Sequence, residues 1–144
     1  MRRIDLITQA CDPKTLTVGQ LMQDALFTCT ARTDALTIGR LMTKQNFGGL
    51  PVVAEDGSLV GLVTEYDLLQ AMIEGRDLRK VLASEIMTTQ PLAAQENMTL
   101  EEVANLFQDR YVTRLPVVRG KQLVGIVARR DVLHGYMKAS AYWS

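Results

Sequence analysis

The apolar positions of this chain follow the same order twice, and each pass predicts two helices and a hairpin. In the first pass, apolar residues recur at the spacing of one helix face from position 35 to 42, after a capping residue at Thr33 or Asp34. Two β-rich runs, 50–53 and 59–63, then flank a turn that contains Asp-Gly, which predicts a hairpin. A second helix is predicted to begin near Glu65 and to stop at Gly75.

The repetition extends to the residues themselves. The segment Gly49-Leu50-Pro51-Val52-Val53 returns 65 positions later as Arg114-Leu115-Pro116-Val117-Val118. The turn that follows is one residue shorter in the second copy, where length changes cost little. Beyond that turn, Leu59-Val60-Gly61-Leu62-Val63 returns 64 positions later as Leu123-Val124-Gly125-Ile126-Val127, and Asp67 returns as Asp131.

With a short strand near 27–29, each copy follows the order β-α-β-β-α. We therefore predict a mixed fold, α+β or α/β, made of two repeats at 14–76 and 81–139. A single unit of ~60 residues buries little surface alone, so the repeats are expected to pack about a pseudo-two-fold axis. Such packing would place equivalent residues on either side of shared clefts and so predicts two related binding sites, or none.

Composition excludes several classes of protein. Of the 144 residues, 47% are hydrophobic and 22% charged, which does not fit a disordered or collagenous chain. Sixteen basic residues balance sixteen acidic ones, so the chain lacks the overall positive charge that nucleic-acid binding usually needs. No apolar run approaches the ~18 residues of a membrane span. The two cysteines suggest no disulfide framework, and a cytoplasmic protein with reduced thiols is expected.

Catalysis is not expected either. His134 is the only histidine, which excludes a two-histidine metal site, and the sequence holds no phosphate-binding P-loop, dinucleotide fingerprint or nucleophile elbow.

The repeated motif resembles a known family. The doubled Leu-Pro-Val-Val, hairpin, Gly-x-Val and Asp pattern, with Leu-Met or Ile-Met upstream, resembles a tandem pair of cystathionine-β-synthase (CBS) domains, a Bateman module, over about residues 14 to 139.

That resemblance implies a regulatory module that binds an adenosine-containing nucleotide in the clefts between its repeats. AMP, ADP, ATP or another adenosyl compound is the implied ligand, with no cofactor. The resemblance also implies a homodimer, and the regulated protein stays unidentified. The alternative is a structural dimerisation or protein-interaction module whose clefts are vestigial.

The resemblance implies that Asp67 and Asp131 bind the ribose hydroxyls. The alternative is an aspartate that only stabilises the start of its helix through the helix dipole, and Thr64 has capping-box spacing with Asp67. In the second copy Ala128 replaces the threonine. An aspartate that persists without its capping partner favours the ligand role for Asp131.

Two sets of ligand residues are implied. The first consists of Thr17, Met22, Gly48, Gly49, Arg114, Ile126, Arg130 and Asp131. The second consists of Leu62, Thr64, Asp67, Met87, Val112 and Thr113. Met22 and Met87 are the implied apolar walls, Thr17 an adenine contact, and Thr64 and Arg114 phosphate contacts. Gly48 and Gly49 are equally consistent with turn residues, and Arg130 with a solvent-facing one. Because the first set carries more positive charge, we expect it to bind a phosphorylated nucleotide.

Overall fold

A computed structural model describes residues 15–24 and 26–139. The chain divides into two units that each draw on both sequence repeats. The first unit comprises residues 27–91. The second unit comprises residues 92–139 together with 15–24 and 26.

The first unit contains one three-stranded sheet and three helices. Its helices are α2 (Ala35–Gln45), α3 (Glu65–Ile73) and the short α4 (Ala83–Ile86). Its strands are β1 (Gly49–Val53), β2 (Leu59–Thr64) and β3 (Thr88–Thr89), in the order β1-β2-β3 with both pairs antiparallel.

The second unit repeats this arrangement with one difference in its sheet. Its helices are α1 (Val18–Leu21), α5 (Leu100–Arg110) and α6 (Arg129–Ala139). Its strands are β4 (Ala94–Gln95), β5 (Arg114–Arg119) and β6 (Gln122–Ala128), in the order β4-β5-β6. Strand β4 runs parallel to β5, whereas β5 and β6 form the antiparallel hairpin.

Local sequence explains where the long helices begin and end. The Asp34 carboxylate accepts a hydrogen bond from the Thr37 amide at 2.9 Å, and Thr99 forms a reciprocal capping box with Glu102. At their C-terminal ends, Asn46 and Tyr111 take the left-handed conformation, with φ of 57° and 54°. The two helices thus start and stop at equivalent positions of the repeat.

The short helices α1 and α4 explain why the units differ from the repeats. In the second unit, Val18 donates its amide hydrogen to Met98 O at 2.8 Å, and Leu100 donates to Leu16 O at 2.7 Å. The equivalent bonds of the first unit join Ala83 to Thr33 O at 2.8 Å and Ala35 to Val81 O at 2.7 Å. Each short helix is therefore attached to the start of the long helix of the other repeat, which local sequence patterns do not reveal.

Each unit has its own apolar core between sheet and helices. In the first unit it consists of Cys29, Ala35, Ile38, Met42, Leu50, Val52, Val63, Leu68, Val81 and Ala83. In the second unit it consists of Leu16, Val18, Leu21, Met22, Ala94, Leu100, Val103, Phe107, Leu115, Val117, Val127 and Val132.

The predicted mixed α/β class is confirmed, as are the predicted helices and both hairpins. The short strand predicted near 27–29 is reduced to a single parallel bridge between Cys29 and Val52. The boundaries 14–76 and 81–139 stay a prediction about the repeats, while the compact units are cut after residues 26 and 91. The pseudo-two-fold arrangement also stays a prediction.

Candidate functional site

Asp67 lies at the start of α3, in a reciprocal capping box with Thr64. Its Oδ2 accepts hydrogen bonds from the Thr64 amide at 2.8 Å and the Thr64 hydroxyl at 3.0 Å. In return, the Thr64 hydroxyl oxygen accepts a hydrogen bond from the Asp67 amide at 3.3 Å. Asp67 therefore makes the helix-capping contact with Thr64 that the structural alternative to a ligand role requires. Both bonds use a single carboxylate oxygen, so the contact does not exclude a ligand on the other.

Asp131 lies at the equivalent position of α6 and differs in burial. Its Oδ2 accepts a hydrogen bond from the Ala128 amide at 2.8 Å, the counterpart of the bond from Thr64 to Asp67. Within the described residues it is the one charged side chain that is fully buried, with 0% of its surface exposed. Burying a carboxylate is costly unless hydrogen bonds or opposite charges compensate. The burial therefore marks Asp131 as the more specialised aspartate.

A methionine lies against a glycine of the hairpin in both units. A Cβ atom added to Gly125 would lie 2.9 Å from Met22 Cγ and 3.0 Å from Gln23 O. One added to Gly61 would lie 2.9 Å from Met87 Cγ and 3.1 Å from Thr88 O. Only glycine allows each methionine to approach the strand so closely.

The backbone fixes these methionines beside predicted ligand residues. Gln23 and Ile126 exchange amide-to-carbonyl hydrogen bonds of 2.8 and 2.9 Å. Met22 directly precedes Gln23, so this pairing holds it close to Ile126. In the first unit, Thr88 pairs with Leu62, which places Met87 at the equivalent point. Each unit thus contains a methionine held against the hairpin and an aspartate at the start of the helix that follows the hairpin.

Thr17 caps the short helix α1. Its amide donates a hydrogen bond to Gln20 Oε1 at 2.8 Å, and its hydroxyl lies 3.4 Å from the same oxygen. At the equivalent position of the first unit, the Leu82 amide donates to Glu85 Oε1 at 3.1 Å. Thr17 therefore has a hydroxyl at the position where its counterpart, Leu82, has an apolar side chain.

The remaining polar site residues lie where the hairpin of each unit meets the helix that follows it, α3 or α6. In the second unit, Arg114 pairs with Ala128 across the hairpin and is exposed, as is Arg130. The Arg129 amide donates a hydrogen bond to Thr113 O at 2.9 Å. In the first unit, Gly49 pairs with Thr64, and the Glu65 amide donates to Gly48 O at 3.2 Å.

The structure divides the predicted ligand residues by unit. Those in the first unit are Gly48, Gly49, Leu62, Thr64, Asp67 and Met87. Those in the second unit are Thr17, Met22, Val112, Thr113, Arg114, Ile126, Arg130 and Asp131. The grouping of residues from both units around one ligand stays a prediction.

Sequence reasoning missed Glu65 and Arg129, which occupy equivalent positions directly after the hairpin. The offset of 64 that pairs Asp67 with Asp131 also pairs these two residues, so the repeat held the signal. What the sequence does not show is the hydrogen bond that each of them makes. The amide of each residue donates to the carbonyl of the residue just before the first strand of its hairpin.

Other chemistry is sparse in the described part of the chain. No group of three histidine, cysteine, aspartate or glutamate side chains there is placed to bind a metal ion. None of the described helices is long and apolar enough to span a bilayer. Burial raises the pKa of the Cys29 thiol from 9.0 to about 11, so the folded chain releases this proton only at more alkaline pH.

Comparison with known proteins gives the family. The CBS domain family matches residues 18–74 and 83–138, so the chain belongs to the CBS-domain family. It is 33% identical to the uncharacterised protein YlbB of Bacillus subtilis over 116 residues, covering 80% of this chain and 78% of YlbB.

Solved structures of CBS-domain pairs share the fold. The structure of CBSX2 in complex with AMP superposes with a TM-score of 0.74 at 30% identity, covering 85% of this chain and 97% of that one. The CBS domain pair of MJ0100, in complex with 5′-methylthioadenosine and S-adenosyl-L-methionine, gives 0.72 at 26% identity, with coverages of 83% and 94%. The tandem CBS-domain pair inferred from the repeat is confirmed.

Proposed function

We propose that the chain is a regulatory module that binds an adenosine-containing nucleotide and performs no chemistry of its own. The observation that carries this proposal is the aspartate that both units place at the start of the helix after the hairpin, Asp67 and Asp131, each held to the backbone through one carboxylate oxygen. A carboxylate is an acceptor-only group in its ionised form and suits a pair of ribose hydroxyls, which are donors. We take the regulated protein to be a separate partner, and we place the module in the cytoplasm.

The surroundings of Asp131 favour a phosphorylated ligand. Arg114, Arg129 and Arg130 are exposed and belong to the same unit as Asp131. Guanidinium groups form strong charge-assisted hydrogen bonds with phosphate. The apolar side of the site is Met22, held against Gly125 and next to Ile126. We therefore assign the phosphorylated nucleotide to the second unit's residues.

The compounds bound by related proteins guide the choice of ligands to test. CBSX2 is in complex with AMP, and the MJ0100 pair is in complex with two adenosyl compounds. All of them share the adenosine portion that an aspartate and an apolar wall would recognise. AMP, ADP, ATP, adenosine, S-adenosylmethionine and 5′-methylthioadenosine therefore form the panel.

A thermal-shift measurement tests the proposal. A ligand at one hundred times its dissociation constant stabilises the native state by about 2.7 kcal/mol. For a chain of this size, that corresponds to a rise in Tm of roughly 5 to 10 °C. UMP serves as the control, because it keeps the ribose and phosphate but lacks adenine. If the panel has no more effect than UMP, the nucleotide-binding proposal is wrong.

The alternative, a dimerisation or interaction module, is favoured by the outer face of α3. Tyr66, Leu69, Met72 and Ile73 are large apolar residues with 73, 57, 59 and 78% of their surface exposed. A groove of about 810 Å³ between α2 and α3 continues this face, lined in part by Phe47, Leu69 and Met72. Apolar patches of this kind mark interaction sites.

We propose a second copy of the chain as the occupant of this face. The rim of the groove carries Arg40 and Lys44 on α2 and Glu65 on α3, and Glu74 follows the end of α3. A two-fold contact would let Glu74, at the end of one α3, approach the basic residues of the partner's α2, which is the self-complementarity that such an interface requires. The homodimer is compatible with ligand binding and does not depend on it.

A further inference from the structure

The junction between the hairpin and the helix that follows it, α3 or α6, carries opposite charges in the two units. In the second unit, the six positions at this junction hold Thr113, Arg114, Ala128, Arg129, Arg130 and Asp131, with a net charge of +2. The equivalent positions of the first unit hold Gly48, Gly49, Thr64, Glu65, Tyr66 and Asp67, with a net charge of −2. The two junctions share one backbone design but differ by four charges.

The position of Glu65 explains how this charge would act. Its amide donates to Gly48 O at 3.2 Å, just as the Arg129 amide donates to Thr113 O at 2.9 Å. In addition, its Oε1 lies 3.2 Å from the point where a Cβ on Gly48 would stand. The carboxylate therefore folds back over the Gly48 backbone, on the side that a threonine occupies in the second unit.

We propose that Glu65 makes the first unit's site selective for adenosine compounds whose 5′ group is uncharged or cationic. This inference rests on the proposed function, because it assumes that Asp67 and Met87 bind an adenosine compound. The junction of the first unit has threonine at position 64 but no arginine, so a phosphate there would meet the carboxylates of Glu65 and Asp67. The basic residues that line a groove with Glu65, Arg40 and Lys44, lie on α2 and not at the junction. The second unit, with three arginines, takes the phosphorylated compound.

The size of the effect follows from Coulomb's law. A phosphate dianion on the order of 6 Å from a carboxylate in a water-like dielectric loses about tenfold in affinity. A 5′ ammonium group at the same distance gains about threefold, since it carries one charge instead of two. Both effects weaken at high salt, so the measurement belongs at constant, low ionic strength.

Methionine methyl NMR separates the two sites, because Met87 reports on the first unit and Met22 on the second. Protein labelled at methionine methyl groups is titrated with adenosine, AMP and 5′-amino-5′-deoxyadenosine, and Met22→Leu and Met87→Leu assign the two signals. We expect AMP to shift Met22 at lower concentration than Met87. The amino compound should shift Met87 at lower concentration than AMP does.

Glu65→Gln is the deciding variant, and Arg129→Gln is its matched control. Both keep the backbone bond and remove one charge; Glu65→Gln also keeps the side-chain size, whereas Arg129→Gln shortens it. Glu65→Gln should reduce the AMP concentration needed at Met87 by about tenfold and leave adenosine unchanged. Arg129→Gln should raise the AMP concentration needed to shift Met22 and leave the concentration needed at Met87 unchanged.

The outcomes separate this inference from the function on which it rests. Equal responses of Met87 to adenosine and AMP in the unmodified protein, or an unchanged ratio in Glu65→Gln, would overturn the charge selectivity while nucleotide binding stands. If none of the three compounds shifts either methionine, the proposed function fails and the selectivity fails with it.

Discussion

The carboxylate of Asp131 accepts a hydrogen bond from the amide of Ala128 at 2.8 Å, which matches the 2.8 Å bond between Asp67 and Thr64. The two aspartates thus hold the same position against the backbone, but Asp131 is fully buried and its neighbour has no hydroxyl to return a bond. The pair therefore allows a ligand role to be tested against a structural one.

Asp131→Asn should weaken the binding of both AMP and adenosine. The ribose is common to the two compounds, and an amide is a poorer double acceptor than a carboxylate. Asp67→Asn should affect the tighter site less, because it lies in the other unit. Calorimetry with both compounds measures these losses. A purely structural role for Asp131 predicts a lower Tm with unchanged affinity.

Arg114→Ala should weaken AMP binding by about 1.5 to 3 kcal/mol, the range for a hydrogen bond to a charged group. Adenosine should bind almost as before, because it carries no phosphate. Arg114 is exposed, so the substitution should leave the fold intact. Arg110→Ala, on α5 of the same unit, is the matched control for general charge. Equal losses for AMP and adenosine would disprove the phosphate contact.

Replacing the outer face of α3 should dissociate the proposed homodimer. Leu69 and Ile73 are 57 and 78% exposed, so the double change Leu69→Lys and Ile73→Lys places charge on the face without disturbing the core. Light scattering at tens of micromolar should show a dimer for the unmodified chain and a monomer for the variant. Tyr111→Lys, at a 90% exposed residue that follows α5 and lies on neither α3 nor α6, should stay dimeric. A monomeric unmodified chain contradicts the proposal.

Alanine at the hairpin glycines should destabilise the fold. At Gly125 and Gly61 the added Cβ would approach a methionine Cγ to 2.9 Å and a backbone carbonyl to 3.0 or 3.1 Å. Because the carbonyl cannot move freely, we expect a loss of about 1 to 3 kcal/mol of unfolding free energy. Denaturant titration measures it.

Gly39→Ala is the matched control for that series. Its added Cβ would meet only Leu68 Cδ1, at an ordinary 3.7 Å, inside helix α2. We expect it to raise the unfolding free energy by about 0.5 to 1 kcal/mol, since alanine is the better helix former. Stabilisation by Gly125→Ala as well would show that the methionine contact is not tight.

The sequence was sufficient for those features whose causes are local. Asp34 and Thr99 stand where capping requires them, and the Pro-Val-Val and Gly-x-Val runs have the composition of hairpin strands. The doubled aspartate could be found because the repeat keeps its register on both sides of one turn.

Features that depend on distant contacts could not be predicted. The attachment of α1 to α5 depends on hydrogen bonds from Leu100 to Leu16 and from Val18 to Met98, which join residues about 80 positions apart. The burial of Asp131 depends on packing and has no signature in the pattern around it. The predicted strand near 27–29 shrank to one bridge at Cys29, because only that residue pairs with β1.

Cys29 predicts a loss of stability at alkaline pH. Burial raises the pKa of its thiol from 9.0 to about 11, so the unfolded chain releases this proton at lower pH than the folded chain does. Its contribution to the unfolding free energy is therefore complete below about pH 9 and is lost as the pH rises toward about 11.

Urea midpoints at pH 8.5, 9.5 and 10.5 should show this decline in a Cys11→Ser background, which removes the other thiol. Adding Cys29→Ala should flatten the decline, because alanine does not titrate, whereas tyrosines and lysines contribute equally to both proteins. Equal slopes with and without Cys29 would mean that the thiol ionises as readily in the folded chain as in the unfolded one.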